Sequence, residues 1–151
     1  MANLRVDSEK CCGCRICEMA CSMVHFGLFN PRKAFLRIEM DRLPNVGTKA
    51  SEIDVPIVCL QCDPAPCAEA CPEGAIEKVA TGAWVVDNGK CTGCGLCVDA
   101  CSLGMIVVES GEGFARKCDL CEGGPSCVTY CPMGALAFLE KEDGDHVSRR
   151  L

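Results

Sequence analysis

Seventeen of the 151 residues are cysteines, and sixteen of these fall into four groups of four. The groups are, in chain order, Cys11, Cys14, Cys17 and Cys21; Cys59, Cys62, Cys67 and Cys71; Cys91, Cys94, Cys97 and Cys101; and Cys118, Cys121, Cys127 and Cys131. Each group begins C-x2-C and ends x3-C, with middle spacings of two, four, two and five residues. Thiolates bind soft metals, and a C-x2-C loop lets two sulfur atoms converge on one site. The groups therefore predict metal binding.

The spacing also distinguishes between metals. A zinc ribbon uses two C-x2-C pairs separated by a dozen or more residues, whereas C-x2-C-x2-C-x3-C-P is the bacterial run for [4Fe–4S] clusters. Group three matches this run except for Ser102 in the proline position, and group one matches its spacing with Ser22 following. Groups two and four carry Pro72 and Pro132 but have longer middle loops. We therefore expect iron–sulfur clusters; a structural zinc module is the alternative that metal analysis would distinguish.

Composition and charge exclude several other classes. The net charge of −6 and the pI of about 4.9 argue against nucleic-acid binding, which rewards basic patches. No apolar run approaches the ~18 residues of a membrane span. The first residues, MANLRVDSEKCC, lack an apolar signal region, so we expect the reducing cytoplasm, where thiols remain free. Export together with a signal-bearing partner stays open.

The chain is internally repetitive. The last cysteines of groups two, three and four lie 30 residues apart, and each opens a similar phrase: CPEGAI, CSLGMI and CPMGAL. Group one lacks this phrase and carries a longer connection. Strand-like segments lie between the groups, AIEKVATGAWVVD reads as a hairpin turning at Thr81 and Gly82, and one helical turn is expected after each third cysteine. These features predict an α+β fold of short strands and helical turns.

Several residues beside the cysteines have two interpretations. Gly13, Gly93 and Gly95 lie between cysteines, where glycine permits a tight turn and a close approach of backbone N–H groups to sulfur. If Cys12 replaced Cys11 as a ligand, the x2 spacing to Cys14 would be broken. We therefore predict that the Cys12 thiol is not a ligand. His25 is interpreted as a packed or capping residue rather than a ligand.

Three lysines precede the first cysteine of a group: Lys10, Lys90 and Lys117. A cation close to a cluster would favour its reduced, more negative form and raise its potential. Surface solubility explains the lysines equally well, so both interpretations stay open.

The four groups together resemble the four-cluster ferredoxin-like electron-transfer subunits of oxidoreductases. The segments CLQCDPAPCAEACPEGAI and KCDLCEGGPSCVTYCPMGAL carry this resemblance most clearly, and it covers roughly residues 3–140. Members serve molybdenum and tungsten pterin enzymes such as dimethyl sulfoxide reductase, formate dehydrogenase and aldehyde oxidoreductase, and also some hydrogenases and carbon monoxide dehydrogenases. From the sequence we expect neither the long insertions nor the membrane anchor of the larger members, and the chain is more similar to compact ones.

The resemblance implies which cysteines share a cluster. Groups one and four would pair, as would groups two and three, giving four [4Fe–4S] clusters. The four ligand sets implied are Cys11, Cys14, Cys17 and Cys131; Cys59, Cys62, Cys67 and Cys101; Cys91, Cys94, Cys97 and Cys71; and Cys118, Cys121, Cys127 and Cys21. Pairing group one with two and group three with four is the alternative.

The same resemblance implies two bacterial-ferredoxin-like modules, one inserted in the other. Residues 50–110 would form the continuous module, residues 1–49 and 111–140 the discontinuous one, and residues 141–151 a mobile tail. No side-chain constellation for bond-making chemistry is apparent, so we expect a non-catalytic subunit of an oxidoreductase complex.

The expected partner is a catalytic, pterin-dependent subunit containing tungsten or molybdenum, with aldehyde oxidoreductase as the leading case and a flavin subunit or ferredoxin as the electron acceptor. Hydrogenase, formate dehydrogenase and carbon monoxide dehydrogenase complexes are alternatives, as is a free polyferredoxin that moves between enzymes.

Overall fold

Short strands pair two by two in the computed structural model, which describes residues 2–41, 53–108, 111 and 113–140. Within these ranges the strands form four antiparallel ribbons: β1 with β8, β2 with β3, β4 with β5, and β6 with β7. The strands are β1 (Ala2–Val6), β2 (Arg37–Asp41), β3 (Ile53–Ile57), β4 (Ile76–Lys78), β5 (Trp84–Val86), β6 (Val107–Val108), β7 (Ala115–Arg116) and β8 (Leu136–Glu140). Isolated two-stranded ribbons are marginally stable in water, so other contacts must hold them.

A helix begins beside the third cysteine of each group. The helices are α1 (Ile16–Phe26), α2 (Pro66–Glu69), α3 (Leu96–Asp99) and α4 (Ser126–Thr129). The predicted single turn is confirmed for groups two, three and four. It is wrong for group one, because α1 continues for eleven residues.

The length of α1 follows from what comes after its group. The repeated phrase is absent there, so nothing turns the chain until Gly27, which caps α1 in the left-handed conformation at φ +67° and donates its N–H to the Met23 carbonyl. In groups two and four, the proline after the fourth cysteine disfavours a helical conformation for that cysteine. Group three stops at the same point without proline, since Gly104 closes an equivalent turn by donating its N–H to the Cys101 carbonyl.

The predicted hairpin is confirmed as the β4–β5 ribbon. Lys78 lies opposite Trp84 in its register, and Gly82, at φ +83°, donates its N–H to the Val79 carbonyl in the turn. The segments predicted before group one and after group four became β1 and β8. The strand β7, two residues long, was not predicted.

The two outermost strands of the described chain lie side by side. Ala2 is opposite Glu140 and Val6 is opposite Leu136 in the β1–β8 ribbon. Helix α1 packs against α4, and α2 packs against α3. The larger buried apolar cluster gathers residues from both ends of the chain, including Leu4, Leu36 and Leu120. The fold therefore brings group one beside group four, and group two beside group three.

Two of the four ribbons connect segments that the sequence assigns to different modules. The β2–β3 ribbon links the connection after group one to the segment before group two, and the β6–β7 ribbon links the segments that flank groups three and four. The division into two modules with the stated boundaries stays a prediction. The boundary near residues 49–50 and the tail at 141–151 lie outside the described residues.

Candidate metal centre

One solvent-open cavity of about 320 Å³ is lined by all four thiols of a predicted ligand set: Cys71, Cys91, Cys94 and Cys97. Three of these belong to group three and the fourth ends group two. The buried side chain of Ile76 closes part of the apolar wall. The x3 spacing cannot bring Cys71 here by itself; the packing of α2 against α3 does so.

A second cavity, of about 310 Å³, is lined by another predicted set: Cys11, Cys14, Cys17 and Cys131. Cys131 comes from group four, which the pairing of β8 with β1 brings beside group one, and Leu136 of β8 also lines the cavity. Cys12 also lines the cavity, and its side chain is exposed. That Cys12 is not a ligand stays a prediction.

The thiols of Cys59, Cys62, Cys67 and Cys101 act on one another electrostatically. Burial raises the pKa of Cys59, and the neighbouring Cys101 and Cys62 raise it further. Burial likewise raises the pKa of Cys67, with added effects of Cys59 and Cys101. The predicted second set is therefore close in space, although Cys59 and Cys101 lie far apart in sequence.

The remaining set, Cys118, Cys121, Cys127 and Cys21, is similarly close. Burial raises the pKa of Cys127, and the neighbouring Cys118, Cys21 and Cys121 add to that effect. Burial also raises the pKa of Cys118 to about 12. Each predicted set thus gathers its thiols in one place, while their ligation of iron stays a prediction.

The chemistry of these donors fits an iron–sulfur cluster. Burial raises the pKa of Cys17 to about 12, so without a compensating charge the thiol keeps its proton. A thiol binds metal as the thiolate, and a bound cation supplies the charge that makes deprotonation favourable in a buried site. Sites made of sulfur alone, in fours, suit soft metals such as the iron of [4Fe–4S] clusters.

A backbone N–H points at the sulfur of the fourth cysteine in three repeats. The bonds are Ala75 to Cys71, Met105 to Cys101 and Ala135 to Cys131, each with an N···S distance of 3.3 Å. The glycine before each donor has a left-handed φ between +58° and +60°, which bends the chain back over the sulfur. The repeated phrase after these cysteines therefore encodes an N–H···S bond, a role that sequence analysis missed.

In group one the sulfur of the fourth cysteine also accepts a backbone N–H, but the donor comes from a different segment. Cys21 lies inside α1, where no tight turn follows it, and its sulfur accepts an N–H from Phe35, again at 3.3 Å. The longer connection of group one thus returns to the sulfur that the short phrase covers in the other repeats. Such bonds to ligand sulfur tune cluster potentials.

The residue before the second cysteine is left-handed in all four groups. Gly13 and Gly93 have φ of +66° and +68°, and the equivalent Gln61 and Leu120 have φ of +49° and +60°. A Cβ atom at Gly93 would lie 2.7 Å from the Gly113 carbonyl oxygen, so glycine is required there for space as well as for conformation. The prediction of tight turns at these glycines is confirmed.

Gln61 and Leu120 accept a conformation that costs a side chain roughly 1–2 kcal/mol, and both are buried. Leu120 is fully enclosed in the larger apolar cluster. Gln61 donates from Nε2 to the Cys118 carbonyl at 2.8 Å, and its Oε1 accepts from the backbone N–H of Trp84 at 2.9 Å. Their contacts hold the left-handed backbone in place. Sequence analysis missed both, although their alignment with Gly13 and Gly93 was available.

His25 is packed beside the fourth set rather than left free. Its Nδ1 lies 2.8 Å from the Cys21 carbonyl oxygen, and its Nε2 lies 3.0 Å from Asp119 Oδ1. Both ring nitrogens face acceptors, which favours the doubly protonated ring. Asp119, followed by Cys121 and Cys21, raises the pKa of His25 to about 12. The interpretation of His25 as a packed, capping residue is supported.

His25 in turn affects a predicted ligand. Burial raises the pKa of Cys121, but hydrogen bonds from His25 and Ser126 outweigh that effect, so the pKa is lowered. Ligand atoms of His25, Asp119 and Cys121 lie within 4.8 Å of one another. Because Cys121 belongs to the predicted fourth set, we interpret this trio as part of that predicted site.

The structure separates the three lysines. Lys10 and Lys90 are exposed and form surface ion pairs, Lys10 with Asp7 and Lys90 with Glu77. Lys117 is buried, with 5% of its surface exposed. Solubility therefore accounts for the first two lysines but not for Lys117.

Comparison with known proteins agrees with this geometry. The profile of the 4Fe-4S dicluster domain matches residues 52–141. The polyferredoxin-like subunit of the aliphatic sulfonate oxidoreductase of Pyrococcus furiosus is 40% identical over 83% of this chain and 69% of its own length. The electron transport protein HydN of Escherichia coli K12 is 34% identical over 94% of this chain and 90% of its own length.

The fold also resembles a solved structure. A chain in the active site complex BamBC of benzoyl coenzyme A reductase superposes with a TM-score of 0.51 at 27% identity, over 97% of this chain and 82% of that one. Fold, thiol sets and comparisons define an iron–sulfur protein of the electron-transfer class. The chain belongs to the family of 4Fe-4S dicluster proteins. No helix in the described part of the chain is long and apolar enough to cross a membrane.

Proposed function

We propose that the chain holds four [4Fe–4S] clusters and relays single electrons between a catalytic partner subunit and an external donor or acceptor. The observation that carries this proposal is the gathering of sixteen thiols into four sets of four, two of which line cavities. The sets are the four that the family resemblance implies, with Cys12 outside them.

The protein's own contribution is to prepare the sites. Left-handed residues before each second cysteine turn the loops inward, and backbone N–H groups meet the sulfur of each fourth cysteine. When bound, each cluster supplies a one-electron redox couple. Burial of thiols such as Cys17 and Cys127 excludes water from the ligand side of the sites.

The proposed partner is a pterin-dependent oxidoreductase containing tungsten or molybdenum. Support comes from relatives named as parts of oxidoreductases, including the thiosulfate reductase electron transfer subunit PhsB of Salmonella typhi, 32% identical over 92% of this chain. A flavin subunit or ferredoxin would be the external acceptor. The chain would have no catalytic site of its own and would work in the reducing cytoplasm.

Metal analysis of anaerobically purified protein tests the cluster proposal. We expect about 16 iron and about 16 acid-labile sulfide per chain, as four cubane clusters require, with visible absorbance that bleaches on reduction. Stoichiometric zinc without sulfide would overturn the proposal.

A pair of variants tests the ligand assignment. Cys131→Ser should remove or alter one cluster signal in the electron paramagnetic resonance (EPR) spectrum, because Cys131 completes the set with Cys11, Cys14 and Cys17. Cys12→Ser changes a thiol that lines the same cavity and should leave all signals unchanged. The reverse result would exchange the roles of these two cysteines.

A free electron carrier is the second candidate, favoured by the near full-length match to HydN, which is named only as an electron transport protein. Purification of the tagged chain from its native cells distinguishes the two. Tungsten or molybdenum in a stable complex supports the lead; nickel supports a hydrogenase or carbon monoxide dehydrogenase partner. A monomer that exchanges electrons with several reductases supports the free carrier.

A further inference from the structure

The ammonium group of Lys117 is buried against three oxygen atoms. Its Nζ lies 3.1 Å from the Cys118 carbonyl oxygen and 3.3 Å from Gln61 Oε1, and it also contacts the Trp84 carbonyl oxygen. An ammonium group has three donors and no acceptor, so these oxygens match its hydrogens one for one. A neutral amine would direct its lone pair at one of them. The geometry therefore fits the charged form.

Among the residues that the structure describes, no carboxylate pairs with this charge. The ion pairs of the described residues include Lys10, Lys78 and Lys90 but not Lys117. Burial of an isolated charge is costly unless an opposite charge compensates for it. The anionic groups that could do so here are the thiolates of the surrounding sites.

Lys117 contacts the loop of the second ligand set, because Gln61, whose Oε1 its Nζ meets, lies between Cys59 and Cys62. Burial raises the pKa of Cys59 and of Cys67, and Lys117 is the strongest influence in the opposite direction on both. The lysine also lowers the pKa of Cys118, but only weakly. The lysine thus lies beside the second set and also touches the edge of the fourth.

We infer that Lys117 is a fixed counter-charge for the cluster held by Cys59, Cys62, Cys67 and Cys101, and that it raises the reduction potential of that cluster. The inference rests on the proposed function, because it needs the cluster to be bound. Reduction adds one negative charge to a cluster, so a buried cation nearby stabilises the reduced form more than the oxidised form.

Gln61 is the positioning residue for this charge. It lies directly before Cys62 in a left-handed conformation, and its side chain connects the backbone N–H of Trp84, the Cys118 carbonyl and Lys117 Nζ. These bonds leave the lysine little freedom to turn toward solvent. The position before the second cysteine thus helps to fix the cation beside the cluster.

The test compares the full-length chain, reconstituted anaerobically, with Lys117→Met and the matched control Lys90→Met. Both lysines precede the first cysteine of a group, but Lys90 is exposed and paired with Glu77. Iron and sulfide are measured first, and reduction potentials are then measured by titration followed by EPR. In Lys117→Met we expect full iron and at least a tenfold fall in the equilibrium constant for reducing one cluster, a shift of about 59 mV to lower potential. Lys90→Met should match the wild type.

A second variant keeps the lysine and offsets its positive charge with a neighbouring negative charge. Gln61→Glu places a carboxylate beside the ammonium group and should shift the same signal in the same direction. Unchanged potentials in both iron-loaded variants would overturn the inference and leave the proposed function intact. Loss of iron in both variants, with Lys90→Met intact, would assign Lys117 a role in folding and would also overturn it. Wild-type protein without iron would overturn the proposed function itself.

Discussion

The imidazole Nε2 of His25 lies 3.0 Å from the Asp119 carboxylate, although 94 residues separate them in sequence. The contact joins the last turn of α1 to the loop of group four. Asp119 also accepts the Cys121 N–H at 2.8 Å, so one carboxylate orders the predicted ligand loop and attaches it to the helix that carries Cys17 and Cys21. The first and fourth cysteine groups are thereby coupled at one site.

Asp119→Asn should therefore destabilise the loaded protein, and more strongly at low pH. The pKa of His25 is raised to about 12, chiefly by Asp119, against about 6.5 for an unfolded histidine. The ion pair that raises this pKa contributes its full stabilisation of the folded state below about pH 6.5. That stabilisation is lost as the pH rises toward 12. The thermal midpoint for loss of visible absorbance should differ from wild type more at pH 6 than at pH 9.

His25→Gln provides the control for that experiment. This variant removes the titrating ring but leaves the carboxylate. Its thermal midpoint should therefore also differ from that of the wild type more at pH 6 than at pH 9. A difference that is constant across this range in both variants would contradict the ion-pair account.

Gly93→Ala should damage the predicted site of Cys71, Cys91, Cys94 and Cys97, whereas Gly95→Ala should be tolerated. Both glycines are left-handed, with φ of +68° and +84°, so each substitution carries the backbone cost of roughly 1–2 kcal/mol. Only at Gly93 would the new Cβ collide with backbone, 2.7 Å from the Gly113 carbonyl oxygen, while Gly95 has open space around it. Iron content should fall in the Gly93 variant alone; equal losses in both would show that conformation matters and space does not.

Leu120 is a core residue in a strained conformation, and this combination predicts an unusual order of variants. Leu120→Ala should destabilise by roughly 2–5 kcal/mol, as truncation of a buried leucine does. Leu120→Gly loses slightly more packing but relieves the left-handed strain at φ +60°, so it should be no worse than alanine. Thermal midpoints of the two loaded variants check this; a glycine variant clearly below the alanine variant would count against strain at this position.

Removal of iron should abolish cooperative unfolding. The strands have two to five residues, three of the four described helices have four, and such elements are marginal without further support. Bound metal ties loops that are distant in sequence, so its binding free energy becomes folding free energy. Calorimetry of the iron-free, thiol-reduced chain should show no sharp transition, and a sharp one would mean that the apolar clusters suffice.

Local patterns were readable from the sequence where spacing alone determines structure. The helical turns around Cys67, Cys97 and Cys127 and the β4–β5 hairpin follow from short-range periodicity and turn residues, and they are present. The choice of metal chemistry followed from the x2 and x3 steps. Glycine between cysteines correctly indicated left-handed turns at Gly13 and Gly93.

What the sequence could not show depends on contacts across the chain. Nothing near Lys117 distinguishes it from Lys10 or Lys90, because its burial depends on Gln61 and Trp84 from other segments. Packing likewise imposes the left-handed conformation on Gln61 and Leu120, although residues of these types usually avoid it. The extended α1 could have been anticipated, since group one lacks the phrase that stops the other helices.

Because β1 and β8 run side by side, with Ala2 opposite Glu140, the order in which the cysteine groups are translated is separable from their arrangement in space. A circular permutant that joins these strands by a short linker and opens the chain in the turn between Val79 and Ala83 would place groups three and four ahead of groups one and two. Every ribbon except the opened hairpin would keep its partners.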